Sequence, residues 1–204
     1  MTDRRKYAPA CERNKTPILE VLKRVLPNSG TILEIASGTG QHAVFFASQL
    51  PGIKWQPSDI NHEAIASINS WIEHEQLTNI YPPISLNIEN YLTEEKPALN
   101  NIVAMVCINM IHISPWTACV QLMKVANKIL SEGGILYLYG PYKRNNEHTA
   151  PSNESFDQSL RMQNAEWGVR NLEDVILVAK GENMLLEEIV EMPANNLSVV
   201  FKKG

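Results

Sequence analysis

Apolar positions along the chain switch repeatedly between helical and strand periods. Ile18, Leu19, Val21, Leu22, Val25 and Leu26 fall at helical spacing and predict a helix over Asn14 to Leu26. Pro17 then stands in its first turn, where a missing N–H costs nothing. Thr31 to Ala36 is a short buried strand, glycine-rich Ser37-Gly-Thr-Gly40 follows it, and His42 to Leu50 is helical. Ile53 to Pro57 alternates as a second strand and ends at Ser58-Asp59. Asn61 caps a helix running to about Gln76, with Ile65, Ile68, Trp71 and Ile72 on its apolar face. Pro82 to Asn87 is a third strand, and the nearly continuous apolar run Asn101 to Ile108 is a central parallel one. Pro115 to Leu130 reads as a helix and Ile135 to Tyr139 as a fifth strand. A polar loop is expected over Lys143 to Ser155, then helices over Phe156 to Met162 and Leu172 to Lys180. Met184 to Glu191 and Leu197 to Lys202 are the last strands, joined through Pro193-Ala-Asn-Asn196.

Strands alternating with helices predict an α/β fold with a doubly wound, mostly parallel seven-stranded sheet and helices on both faces. The short connection between the closing strands predicts one antiparallel edge strand.

Composition narrows the setting. A chain of 204 residues fits one domain, read as an N-terminal arm and helix (1–30), a core (31–140) and a loop, helices and final strand pair (141–204). A hydrophobic content of 44% with 20% charged residues excludes a disordered chain. The net charge of −4 argues against a nucleic-acid backbone as partner. Cys11, Cys107 and Cys119 have no disulfide-framework spacing, so reduced thiols in a cytoplasmic setting are expected. The polar start Met1 to Lys6 leads into no signal-peptide core, and the longest apolar runs are strand-sized, so no membrane partner is expected. The histidines 42, 62, 74, 112 and 148 lack paired ligand spacing, and no metal is expected.

Chemistry begins at Glu34-Ile-Ala-Ser-Gly-Thr-Gly40, between a strand and a helix. Glycines there permit a tight turn and close backbone approach to a ligand. Gln41-His42 stands where a phosphate-binding loop would carry lysine. Asp59 ends the next strand, where a carboxylate can take both hydroxyls of a ribose. The pattern suits a nucleoside without demanding a pyrophosphate.

These features resemble the class I S-adenosylmethionine-dependent methyltransferases, whose sheet is Rossmann-like. Glu34, Gly38 and Gly40 are similar to the first motif, with Ala36 where glycine usually stands. Asp59, followed by Ile60, is similar to the acidic end of the second strand. Asn87, followed by Ile88, stands where the family often has an aspartate near the adenine amine. Cys107 to His112 is similar to the segment after the fourth strand, and Leu130 to Leu136 to the turn before the fifth. A narrower resemblance covers nearly the whole chain. Ala8 to Lys15, Trp55 to Asp59, Asn109 to Trp116, Tyr139 to Tyr142, Thr149 to Asn153 and Met192 to Asn196 resemble domain-of-unknown-function family 938, related to methyltransferase-like protein 26.

The resemblance implies an S-adenosyl-L-methionine cofactor held by Ser37 and the other motif residues. Arg13 or Asn14 would clamp its carboxylate, with Glu12 nearby and Tyr7 in a flap over the site. Ala36 is tolerable there if its φ is negative, and Asn87 can still accept from an amine. His112 is the candidate general base, since it follows the fourth strand at the carboxyl edge of the sheet. Asn109 would touch the cofactor or hold the acceptor. Trp116, Tyr142, Asn195 and the loop histidine His148 are candidates to line the acceptor site. Asn109-Met-Ile-His112 lacks the Asn/Asp-Pro-Pro-aromatic signature, so a small-molecule acceptor is expected. A nicotinamide-dependent oxidoreductase and a cofactor-binding scaffold without turnover are the alternatives.

Overall fold

Hydrogen bonding in the computed structural model, which describes residues 3–93 and 99–204, joins the strands in the order β3-β2-β1-β4-β5-β9-β8. The sheet is mostly parallel and ends in an antiparallel pair, as the short final connection predicts. The chain divides into two compact units, residues 1–106 and 107–204.

The first unit contains α1 (Pro9–Val25), β1 (Gly30–Ile35), α2 (Gln41–Gln49), β2 (Ile53–Asp59), α3 (His62–Glu75) and β3 (Ile84–Ser85), and most of β4 (Ile102–Ile108). β1 pairs in parallel with β2 from Gly30↔Ile53 to Glu34↔Pro57, and β2 with β3 at Asp59↔Ser85. Ile32, Leu33, Phe46, Trp55 and Ile68 form its core. The Asn61 side chain caps α3 by accepting from the N–H groups of Glu63 and Ala64, as expected.

Two expectations fail in this unit. The first helix begins at Pro9, five residues early, so Pro17 lies in its interior and Glu12, Arg13 and Asn14 are helical. Pro9 is the proline that suits a helix start. Pro17 gives up one helical hydrogen bond, while buried Ile18, Leu19, Val21 and Leu22 hold the rest. β3 shrinks to two residues.

The second unit contains the end of β4, a 3₁₀ turn (Met110–His112), α4 (Trp116–Ile129), β5 (Ile135–Arg144), β6 (Glu147–His148), α5 (Pro151–Gln163), β7 (Arg170–Asn171), α6 (Leu172–Gly181), β8 (Met184–Met192) and β9 (Asn196–Lys203). β5 runs through Gly140-Pro141, which periodicity reads as a stop. Pro141 falls where β9 begins, at Pro141↔Asn196, so its missing N–H interrupts no central ladder. The expected loop over Lys143 to Ser155 is instead the end of β5, β6 and the first turns of α5. Among the described residues no helix is long and apolar enough to cross a membrane.

Candidate functional site

The β1–α2 turn is built by local bonds. Ser58 Oγ donates to the Glu34 carbonyl (2.6 Å), and the Ser37 N–H donates to the Ser58 carbonyl (2.8 Å). The turn is thus tied to β2 on both sides. The buried Glu34 carboxylate accepts from Trp55 Nε1 (2.9 Å). Burial drives its pKa up to about 7, against the Trp55 and Ser37 hydrogen bonds.

Asp59 closes the loop. Its Oδ2 accepts from the Gly38 N–H and its Oδ1 from the Asn61 N–H, both at 2.9 Å. Gly38 has φ +57°, and a Cβ built on it would meet nothing within 4 Å. The backbone there borders open space beside a fixed carboxylate. Gly40 (φ +87°) is crowded instead, since its Cβ would lie 2.9 Å from Ile68 Cα. Ile60 is 64% exposed beside Asp59, an apolar side chain left in solvent. Asn87 lies two residues beyond the Asp59↔Ser85 pair, and its Oδ1 accepts from the Glu89 N–H (3.0 Å). Ile88 is buried.

Ala36 corrects the expectation of a negative φ: its φ is +55°. A Cβ in this left-handed region is strained by about 1–2 kcal/mol. Ala36→Gly should therefore raise stability by about 1 kcal/mol, net of the extra freedom glycine gives the unfolded chain. Differential scanning calorimetry should show a melting midpoint higher by roughly 2 °C or more. A lower midpoint would show that the surrounding bonds already accommodate the alanine.

The N-terminal arm is strapped beside this loop. Ser67 Oγ accepts from the Lys6 N–H (2.8 Å) and donates to the Thr39 carbonyl (2.7 Å), so one buried hydroxyl joins arm and loop. Gln41 Oε1 accepts from the Ala8 N–H, and Gln41 Nε2 donates to Glu12. Tyr7 sets its ring edge-on to Trp71 at 5.0 Å. His42 Nε2–H donates to Asn14 Oδ1 (2.7 Å), and burial lowers the His42 pKa to about 4. Asn14 is thus engaged with the helix that carries the loop, whereas Arg13 is exposed on α1. The early helix start explains this: placed on a helix rather than an arm, Arg13 follows the solvent face.

In the second unit, Asn109 has φ +62° and starts the 3₁₀ turn, its N–H donating to the Tyr139 carbonyl (2.8 Å). His112 is fully buried. Its Nδ1 accepts from the Arg170 N–H (3.4 Å) and its carbonyl from the Gly168 N–H (2.9 Å). Its ring packs edge-on to Tyr142 at 5.1 Å. A Cβ on Gly140 would lie 2.5 Å from Nε2, so glycine is what lets the ring approach β5. Burial, reinforced by Arg170, lowers the His112 pKa to about 3. The imidazole that follows β4 is therefore buried and neutral at pH 7. Tyr142 is also fully buried, where its sequence position suggested a pocket wall. Tyr142 lies on the extension of β5 past Gly140, and its ring helps to cover His112. Trp116 stays half-buried, with the Arg170 guanidinium 5.7 Å from its ring centre. Asn195 is exposed; its carbonyl accepts from Asn153 and its amide donates to Ser152. His148 stands 3.4 Å from Asp157.

Sequence reasoning missed several of these groups. Ser67 had a signal, a polar residue within the apolar stripe of α3. Asp157 and Arg161 stand at i,i+4, but Lys143, Gly168 and Arg170 reach them only through the fold.

The parallel sheet, the glycine turn and the acidic end of β2 together make this a class I methyltransferase fold. Within that class the chain belongs to the family described as "Protein of unknown function (DUF938)", which matches residues 5–203. Solved structures agree on the fold. An O-methyltransferase family protein from Burkholderia thailandensis superposes with a TM-score of 0.79 at 12% identity, covering 96% of this chain and 57% of that one. Human N-acetylserotonin methyltransferase, in complex with SAM, gives 0.78 at 14% identity, with 96% and 53% covered. An O-methyltransferase family 2 protein from Planctomyces limnophilus, in complex with apigenin, gives 0.76 at 16%, with 96% and 60% covered. The chain spans a little over half the length of these proteins.

Proposed function

We propose that this chain transfers a methyl group from S-adenosylmethionine to a small-molecule acceptor. The observation that carries the reading is the Gly38–Asp59 pair: open backbone beside a carboxylate held by two N–H groups at the end of β2. The residues fit the cofactor. Asp59 keeps lone pairs for ribose hydroxyls. Exposed Ile60 would offer an apolar face to a purine, and Asn87 Oδ1 has a second lone pair for an exocyclic amine. The backbone of Ala36 to Gly38 would hold the rest of the nucleoside, with Glu34 and Gly40 shaping the turn. The Asn14 amide and the arm with Tyr7 complete the cofactor side. Bound there, the cofactor supplies a methyl group on a sulfonium, and orientation of the acceptor supplies much of the rate.

Trp116, Asn109 and Asn195 are the acceptor-side candidates in the second unit. His112 is a positioning residue in this reading, because its ring accepts from the Arg170 N–H, its carbonyl accepts from the Gly168 N–H, and Asn109 opens its turn. The methyltransferases that share the fold, one in complex with SAM and one in complex with apigenin, support the same reading. Cys11, Cys107 and Cys119, none of them in a disulfide, suit a reducing, cytoplasmic setting.

Calorimetry tests the proposal. S-adenosylmethionine should bind saturably and NAD should not; the reverse would favour an oxidoreductase. Incubation with labelled cofactor and metabolite extracts should then yield a labelled small molecule. Binding without any transfer would leave a cofactor-binding scaffold.

A further inference from the structure

The second unit holds a cleft of about 530 Å³ whose lining includes Trp116, one of the acceptor-side candidates. That volume lies in the range of small-ligand sites. Its apolar lining is Trp116, Val169, Leu177 and Val178; Leu177 is 69% exposed. The same lining carries Lys143, Arg161 and Arg170, the last with its guanidinium 5.7 Å from the Trp116 ring centre.

These cations are held in place without being fully neutralised. Asp157 accepts from Lys143 Nζ (3.1 Å) and Arg161 Nε (3.2 Å) and from the Val169 N–H (2.7 Å). Arg161 spends Nε on that bond while its side chain remains half exposed. Arg170 donates to the carbonyls of Ile111 (2.9 Å), Ser114 (2.6 Å) and Glu166 (2.8 Å). Those carbonyls fix its plane but carry no formal charge. Burial accordingly lowers the Arg170 pKa. Against the three cations stand Asp157 and Asp174, which leave one positive charge in the cleft. Preset cations and apolar side chains sharing one cleft select a flat ligand with an anionic end.

We propose that this cleft binds a small aromatic carboxylate, its ring against Trp116 and Leu177 and its carboxylate on Arg161 and Lys143. The inference rests on residues 107–204 alone and does not depend on methyl transfer.

The full chain should be titrated calorimetrically with benzoate, acetate and benzyl alcohol. Benzoate should bind saturably, and each of the other two at least tenfold more weakly. Arg161→Gln removes a donor at the cleft, while Asp157 keeps Lys143 and the Val169 N–H. Leu177→Glu places a like charge on an exposed position that no core packing needs. Each should weaken benzoate by roughly tenfold with little change in thermal midpoint. Equal binding of acetate would reduce the cleft to an anion site, and equal binding of benzyl alcohol to an apolar one; either overturns the proposal. So does unchanged benzoate affinity in Leu177→Glu. Benzoate binding without S-adenosylmethionine binding would reject only the methyl-transfer reading, and the converse only this one.

Discussion

Asp59→Ala is expected to weaken S-adenosylmethionine binding by about 100-fold or more. Two hydrogen bonds from ribose hydroxyls to a carboxylate are worth about 1.5–3 kcal/mol each, and each 1.4 kcal/mol is a factor of ten. The alanine also strands the Gly38 and Asn61 N–H groups, which now donate to Oδ2 and Oδ1. The loop would lose one of the contacts that tie it to β2. Asp59→Asn separates the two effects. Its amide keeps one acceptor but turns donors toward Gly38 or the ribose, so affinity should fall by an intermediate factor with the fold intact. Calorimetry reads the affinities and far-ultraviolet circular dichroism the fold. Unchanged affinity in a folded Asp59→Ala variant would end the ribose assignment.

Folding stability should peak near pH 6.5 and decline steeply in acid, with His112 the largest contributor. Its pKa falls from 6.5 to about 3 on folding, and that of His42 to about 4. Between those values and 6.5 the unfolded chain binds protons that the folded chain refuses, so stability rises with pH through that window. Glu34 works the other way. Its folded pKa of about 7 lies above the unfolded 4.5, so its contribution is full below 4.5 and is lost as pH rises to 7. Between pH 4.5 and 6.5 two histidines oppose one carboxyl, leaving a slope of about 1.4 kcal/mol per pH unit. His112→Gln removes one histidine and should flatten that window. Urea unfolding at a series of pH values measures the slope; the same slope in His112→Gln would mean that the ring titrates normally. The variant also tests His112 as a positioning residue, because a displaced 168–170 segment changes the acceptor KM more than the cofactor affinity.

Much of the architecture was legible because helix and strand periods are local. The buried runs of β1 and β4, the Asn61 cap and the short link between the last strands were all readable without knowing their neighbours. The Glu34 to Gly40 turn and Asp59 stood out for the same reason: their spacing is set by one strand and the turn after it. Failures came where a distant partner overrode a local signal. Pro17 reads as a helix start until the apolar face of α1 is packed. Gly140-Pro141 reads as a strand end until β9 supplies partners for β5.

The site divides along the same line. Sequence alone determined which residue types stand at the strand ends, and hence that a nucleoside-bearing cofactor suits them. Only the tertiary structure decided the environment of each. It buried the imidazole of His112 against Gly140, put Ala36 at positive φ, left Arg13 in solvent and joined arm to loop through Ser67. It also gathered Lys143, Arg161 and Arg170, far apart in the chain, along one cleft. The reason is physical. Periodicity is a property of neighbours in sequence, whereas desolvation, backbone strain and charge compensation depend on neighbours in space.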